Sequence, residues 1–152
     1  MLTQLIYAQD VRGVVNDYLN DITSASKRKT TDVSGFQITD VVPSINPQIK
    51  HVYVQQTYQG IPIENGRFKL TLKNGQISYA INNFIGNIAE QASKLQGSLT
   101  PEDAVMRLVS AKGLDTPQLR ATSKTAFAAT YSDTRVSSEP IKAEKVYVAE
   151  NN

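Results

Sequence analysis

The stretch RFKLTLKNGQISYAI, residues 67–81, decides the fold class of this chain. Every second residue from Phe68 to Leu72 is apolar, and charged or polar side chains fill the positions between them. A period of two is typical of a strand with one buried and one solvated face. Asn74-Gly75 follows, and both residues accept the positive φ angles of a two-residue hairpin turn. Because Ile77, Tyr79 and Ile81 continue the alternation, the sequence predicts an antiparallel meander.

The segment before this meander has the period of a helix instead. Its apolar residues recur at three- and four-residue steps: Val11, Val14, Val15, Tyr18, Leu19 and Ile22. Such a stripe predicts an amphipathic helix packed on the sheet. Upstream of the hairpin, Val52 and Val54 alternate with polar neighbours and predict a further strand.

A second helix is predicted to begin after Thr100, a good N-cap, with Pro101 at its first position. Its apolar stripe comprises Val105, Leu108 and Val109, and Gly113 is suited to its end. Strands are predicted over 125–131 and 144–150. The fold class is therefore α+β, with two small units that each pack a helix on an antiparallel sheet: residues 1–90 and residues 91–152.

The second unit has no return strand after Val146-Tyr147-Val148, which is predicted to be an edge strand. We therefore expect this unit to be incomplete and the native polypeptide to continue past Asn152.

Composition argues against several classes of function. The 152 residues include no cysteine, which excludes disulfides and thiolate zinc sites, and a net charge of +2 without a clustered basic face does not favour nucleic acid. No apolar run is long enough to span a membrane. The single histidine, His51, cannot form a two-histidine zinc site, so we predict no catalytic residues, no metal and no cofactor in this segment.

The stretch HVYVQQTYQGIPI, residues 51–63, resembles the propeptide motif shared by precursors of thermolysin and fungalysin, a class of zinc metallopeptidases. The resemblance extends over about 55 residues, from Val33 to Ile88. Leu99 to Val105 is similar to the helix start of a PepSY-type segment, and Glu144 to Glu150 is similar to its strand. The initial helix and the lack of cysteine favour the fungalysin-like side of the family.

This resemblance implies cystatin-like units and a non-catalytic pro-region that assists folding of the attached peptidase and inhibits it. The implied partner is the downstream catalytic domain of the same precursor, and the implied location is secreted or periplasmic. A stand-alone secreted inhibitor or binding module of cystatin-like or PepSY-like type is the alternative. A reading frame that continues into a His-Glu-x-x-His segment would distinguish the two.

Within the motif, the candidates for peptidase contact are His51, Gln56, Tyr58, Gly60, Ile61 and Pro62. Gly60 permits backbone angles closed to other residues and Pro62 fixes its own φ, so together they are expected to stiffen a hairpin bend after Tyr58. Gln56 is expected to bridge backbone groups of adjacent strands through its amide. Two interpretations stay open: these residues only form the bend, or the tip from Gln59 to Ile63 touches the peptidase.

Overall fold

The computed structural model describes residues 2–25, 32–94, 97, 99–115, 118–132 and 136–148, and for residues 2–10 it describes the backbone alone. The described residues form three helices and seven strands. In chain order these are α1 (Leu2–Ala25), β1 (Phe36–Pro43), β2 (Ile49–Tyr58), β3 (Ile61–Lys73), β4 (Gln76–Asn82), α2 (Ile88–Ala92), α3 (Pro101–Ala111), β5 (Arg120–Lys124), β6 (Ala128–Ser132) and β7 (Ile141–Glu144).

Two compact units divide the chain. Unit 1 comprises Met1–Lys94 together with Tyr147–Asn152, and unit 2 comprises Leu95–Val146. The sequence had suggested a division between residues 90 and 91 and had assigned the last residues to the second unit. Each unit contains a helix and an antiparallel sheet, so the predicted α+β class is confirmed.

Unit 1 contains a four-stranded sheet in the order β1-β2-β3-β4, and every neighbouring pair is antiparallel. The predicted stripe of α1 covers one face of it. Val11, Val15 and Leu19 are buried, while Val14, Tyr18 and Ile22 are partly buried at the margin. The sheet contributes Val52, Val54, Phe68, Leu70 and Leu72 to the same core, which also includes Val33 and Phe84.

In the return strand β4, the alternating apolar residues do not face the core. Ile77, Tyr79 and Ile81 have exposures of 39%, 59% and 45%, and it is Ala80 that packs against the core. The register explains this arrangement, because Tyr79 lies opposite Thr71 and Ile81 lies opposite Lys69, both on the solvated face of β3. An irregularity between Thr71 and Leu72 adjusts the pairing next to the Asn74-Gly75 turn.

In unit 2, α3 packs against a three-stranded antiparallel sheet of order β5-β6-β7. Its N-terminus has the predicted cap: the Thr100 hydroxyl accepts a hydrogen bond from the Asp103 amide at 3.1 Å, and the Asp103 carboxylate accepts one from the Thr100 amide at 3.2 Å. Val105 and Val109 are buried with Ala129 and Tyr131 of β6.

Several sequence predictions for unit 2 are wrong in detail. Leu108 was placed in the buried stripe, but its side chain is 56% exposed. The third strand of the sheet is Ile141–Glu144, not a strand over residues 144–150. In the described part of that range, Tyr147 forms one isolated bridge and Val146 and Val148 are exposed, while residues 149 and 150 lie outside the described residues.

None of the helices in the described part of the chain combines the length and the apolarity that crossing a bilayer requires.

Candidate functional site

The hairpin between β2 and β3 is closed by Gln59 and Gly60. Their φ angles are 51° and 79°, so both central residues of the turn are left-handed, as they are at Asn74 and Gly75 in the next hairpin. Such turns match the twist of the strands that they join. Gly60 takes the predicted role, but Pro62 does not lie in the bend. It lies within β3, opposite Thr57 of β2.

Next to this turn, β3 contains a large bulge. Gln55 lies opposite Arg67 and Thr57 lies opposite Pro62, so residues 63–66 of β3 correspond to Gln56 alone. The side-chain amide of Gln55 donates hydrogen bonds to the carbonyl oxygens of Ile63 and Gly66, the latter at 2.9 Å. Its own oxygen accepts one from Arg67 Nε at 3.0 Å. Gln55 therefore supplies partners for bulge carbonyls that the strand ladder does not reach.

Gln56 is fully buried, and its amide group is satisfied by backbone partners. Its nitrogen donates to the carbonyl oxygens of Asp32 at 2.7 Å and Ile85 at 2.9 Å, and its oxygen accepts from the amide of Ile85 at 2.8 Å. The predicted bridging role is correct in kind, but the bridged groups belong to segments before β1 and after β4 and not to the neighbouring strands.

A buried carboxylate before β1 also binds the segment that follows β4. Asp32, 2% exposed, accepts hydrogen bonds from the amides of Asn87 at 2.9 Å and Ile88 at 3.0 Å. Gly66 is packed against the side chain of Gln56 so closely that a Cβ on Gly66 would lie 2.3 Å from Gln56 Oε1. We call Asp32, Gln55, Gln56 and Gly66, with the backbone groups that they contact, the buried glutamine network. It fixes the hairpin relative to both ends of the sheet.

The free margin of β3 next to the turn pairs with the C-terminal part of unit 1. The amide of Tyr147 donates to the carbonyl oxygen of Pro62 at 2.8 Å, and the amide of Glu64 donates to the carbonyl oxygen of Tyr147 at 2.8 Å. These bonds form a parallel bridge between Ile63 and Tyr147. The rings of Tyr58 and Tyr147 lie 6.0 Å apart, between their centroids.

The structure brings some of the predicted contact residues together and separates others. Tyr58, Pro62 and Tyr147 meet at the margin of β3, and Gly60 forms the adjacent turn. Ile61 and Gln56 are buried, so neither presents a surface to a partner. His51 lies on the solvated face of the sheet, where its Nδ1 is 3.1 Å from Thr71 Oγ1.

Three members of the buried glutamine network were not predicted. Gln55 and Asp32 carry no periodic signal, and Gly66 lies inside β3, where its glycine does not mark a turn. The available signal was the spacing of glycines: Gly60 and Gly66 bracket a segment in which no strand alternation holds.

Within the described ranges no three His, Cys, Asp or Glu side chains are grouped to hold a metal ion. The side-chain polar atoms of the buried glutamine network are engaged with backbone groups, except Gln55 Oε1, which accepts from Arg67 Nε. These side chains therefore hold the structure together.

Comparison with known families bears on the segment that contains the network. Residues 29–84 match the family described as the Fungalysin/Thermolysin Propeptide Motif. This segment is similar to that propeptide motif, and the match covers 56 of the 152 residues. It includes all four strands of unit 1 and all four residues of the buried glutamine network. No curated protein matches the chain.

The propeptide motif indicates a non-catalytic pro-region of a thermolysin/fungalysin-type precursor and implies attachment to a peptidase domain. The match ends at residue 84, before α2, and so does not include unit 2. The PepSY-type resemblance of unit 2 stays a prediction.

Proposed function

We propose that this chain is the pro-region of a secreted zinc metallopeptidase, and that it assists folding of the attached peptidase and keeps it inactive until processing. The match of residues 29–84 to the propeptide motif carries this proposal. The motif belongs to precursors of exported peptidases, which supports a secreted or periplasmic location. The partner is the catalytic domain of the same precursor, and the zinc belongs to that domain.

A rigid scaffold supports the folding role. A surface that binds the native peptidase and not its unfolded chain stabilises the native state by mass action. The same surface accelerates folding if it already binds the transition state. The buried glutamine network supports such a surface, because its hydrogen bonds hold the hairpin to the segments before β1 and after β4. Among the described residues, no buried side-chain polar atom lacks a hydrogen-bond partner.

Covalent linkage supports the inhibitory role. A tethered partner experiences an effective concentration in the millimolar range when the linker is short and flexible, so a weak contact is sufficient to keep the cleft covered. Cleavage of the linker reduces that concentration to the bulk value, and the contact then dissociates.

The segment around Tyr147 is our candidate for the path toward the peptidase. Its parallel pairing with β3 at Pro62 and Glu64 orients the chain next to the hairpin turn. We propose that the blocking segment lies beyond this point. Residues 1–152 added to the mature peptidase are therefore expected to inhibit it incompletely, and complete inhibition would contradict a downstream blocking segment.

Expression of the precursor with and without residues 1–152 tests the proposed function. The gene is expected to continue into a His-Glu-x-x-His segment, and deletion of the pro-region is expected to lower the yield of active peptidase at least about tenfold, measured as zinc-dependent cleavage of a fluorogenic peptide. A gene without such a segment, or equal activity from both products, would overturn the proposal and favour the stand-alone module.

A further inference from the structure

The sheet of unit 1 has an outer face, opposite α1, with two cross-strand rows of side chains. One row comprises Val42, His51, Thr71 and Tyr79, and the other comprises Asp40, Tyr53, Lys69 and Ile81. We call these eight residues the outer sheet face. They share a face because each is the direct partner of its neighbour in an antiparallel ladder.

Half of the outer sheet face is apolar or aromatic. Val42 is 38% exposed, Tyr53 37%, Tyr79 59% and Ile81 45%. The solvated face of an antiparallel sheet is normally polar, and exposed apolar side chains normally occur singly. Tyr79 and Ile81 are neighbours on β4, and Val42 and Tyr53 lie on the adjacent strands β1 and β2. Two exposed apolar pairs therefore flank the polar side chains of β3 and mark an interaction surface.

Charge on this face restricts the kind of partner. Within the eight residues Lys69 and Asp40 balance in charge, but Arg67 and Lys73 flank Lys69 on the same side of β3, so three cations lie near one carboxylate. The Lys69 ammonium lies 5.2 Å from the centroid of the Tyr53 ring, so part of the cation is held over an aromatic surface. A second copy of the chain would oppose like charges through this face, which is unfavourable. An acidic partner is complementary.

We propose that the outer sheet face docks on the peptidase domain of the same precursor, at a patch of that domain where carboxylates face β3 and apolar side chains lie on either side of them. This inference rests on the proposed function and deepens it by assigning the contact surface. The peptidase thereby contacts the sheet face opposite α1. The buried glutamine network does not touch the peptidase and only maintains the conformation of the sheet.

The size of the face is consistent with a tethered contact. Four strands about 4.8 Å apart and about five residues along each give roughly 300 Å². A stable free complex buries about 800 Å² on each partner, so this face supplies under half of such an interface. A covalent link compensates through effective concentration.

Binding of residues 1–152 to the mature zinc peptidase of the same precursor, measured by titration calorimetry, tests the assignment. The double variant Tyr79→Ser/Ile81→Ser is expected to raise Kd at least about tenfold, because a few aromatic and aliphatic anchors carry most of the energy of an interface. Lys69→Glu is expected to raise Kd by a similar factor, with the effect reduced at high salt. Ile45→Ser is the matched apolar control, since Ile45 is fully exposed in the β1–β2 loop, and Lys94→Glu is the charge control.

Circular dichroism and thermal unfolding establish that the variants are folded before binding is compared. Unchanged Kd for both outer-face variants, with clear binding of the unaltered chain, would overturn the assignment and leave the proposed function standing. If the unaltered chain binds anionic vesicles and the two outer-face variants do not, while their Kd for the peptidase is unchanged, the face is assigned to a membrane. That result would also overturn the assignment to the peptidase. Absence of any binding by the unaltered chain even at millimolar concentration, which is about the effective concentration that the tether supplies, would instead contradict the proposed function.

Discussion

At the scale of single residues, stability of the hairpin depends on Gln56. Its amide group contacts Asp32 and Ile85, which are 24 and 29 positions away in the sequence. A buried polar side chain of this kind is favourable only when every partner is present, because each orphaned group retains its desolvation cost. The network therefore specifies one arrangement of the segments that flank the sheet.

Replacement of Gln56 by leucine tests this role. Gln56→Leu leaves the carbonyl oxygens of Asp32 and Ile85 and the amide of Ile85 without their partner, and we expect the free energy of unfolding to fall by about 3 kcal/mol. Urea denaturation followed by circular dichroism measures the change. Gln48→Leu, in an exposed loop, is the control and should alter stability by less than about 0.5 kcal/mol.

Gly66 provides a steric test of the same network. In Gly66→Ala the new Cβ would meet Gln56 Oε1 at 2.3 Å and Gln56 Cβ at 2.9 Å, and the hydrogen bonds of Gln56 prevent it from moving aside. We expect a loss of about 2 kcal/mol in the same denaturation experiment. Gly13→Ala, which meets nothing within 4 Å on α1, should raise stability by about 0.5–1 kcal/mol. Equal and small effects from both substitutions would contradict the close packing at Gly66.

Residues with local requirements were predictable from sequence, and residues with distant partners were not. The turns at Asn74-Gly75 and at Gly60 were predictable because tolerance of a positive φ angle is a property of the residue type itself. The structural roles of Gln55 and Asp32 depend on partners far away in the sequence, which are the bulge of β3 and the start of α2. Nothing in their immediate neighbours indicates those partners.

At the scale of elements, the strand alternation of β3 and the helical stripe of α1 determined the core of unit 1, since both patterns extend over several turns or residues. The last strand of unit 2 was misplaced. Val146-Tyr147-Val148 has high strand propensity, yet the sheet uses Ile141–Glu144, whose alanine and isoleucine pack against β6 and α3. Tertiary packing decided against the local preference.

The hairpin turn at Gly60 can be tested as an element. Gly60 has a φ of 79°, which a β-branched residue adopts only with strain, so Gly60→Val is expected to destabilise the hairpin by about 2 kcal/mol and to lower the yield of active peptidase from the precursor. Lys69→Ala, on the solvated face of β3, should change the free energy of unfolding of the chain by less than about 0.5 kcal/mol. The same loss of stability in both variants would argue against the strand assignment.

The cap of α3 makes the stability of unit 2 depend on pH. Hydrogen bonds from the side chain and the backbone amide of Thr100 lower the pKa of Asp103 below its ordinary value of 3.8, and Arg107 acts in the same direction. The folded state therefore binds this proton less readily than the unfolded state does. Its contribution to stability is complete above pH 3.8 and is lost as the pH falls through the lower, folded-state pKa.

Thermal unfolding of the whole chain between pH 5 and pH 2 measures this dependence, a range chosen to bracket ordinary aspartate pKa values of about 3.9. Asp103→Asn and Thr100→Ala should both show a smaller decrease of Tm on acidification than the unaltered chain. Parallel pH profiles for all three proteins would show that the cap does not carry the effect.

At the scale of the whole molecule, two α+β units are joined in one chain, and the propeptide motif lies in the first of them. The fold class and the motif were evident from sequence because both depend on extended patterns. The apolar outer sheet face was not, since it arises from a cross-strand register that places Tyr79 and Ile81 beside Thr71 and Lys69. Unit 1 thus combines a rigid interior with a surface suited to another protein.

Refolding of the cognate peptidase domain tests the central claim most directly. The denatured domain, with zinc, is diluted into buffer with or without an equimolar amount of residues 1–152, and the recovered cleavage of a fluorogenic peptide is followed after the pro-region is removed. We expect the pro-region to raise the recovered activity at least about tenfold, because it binds native-like states of the domain and not the unfolded chain. Equal recovery with and without it would show that the chain does not assist folding and would contradict the account.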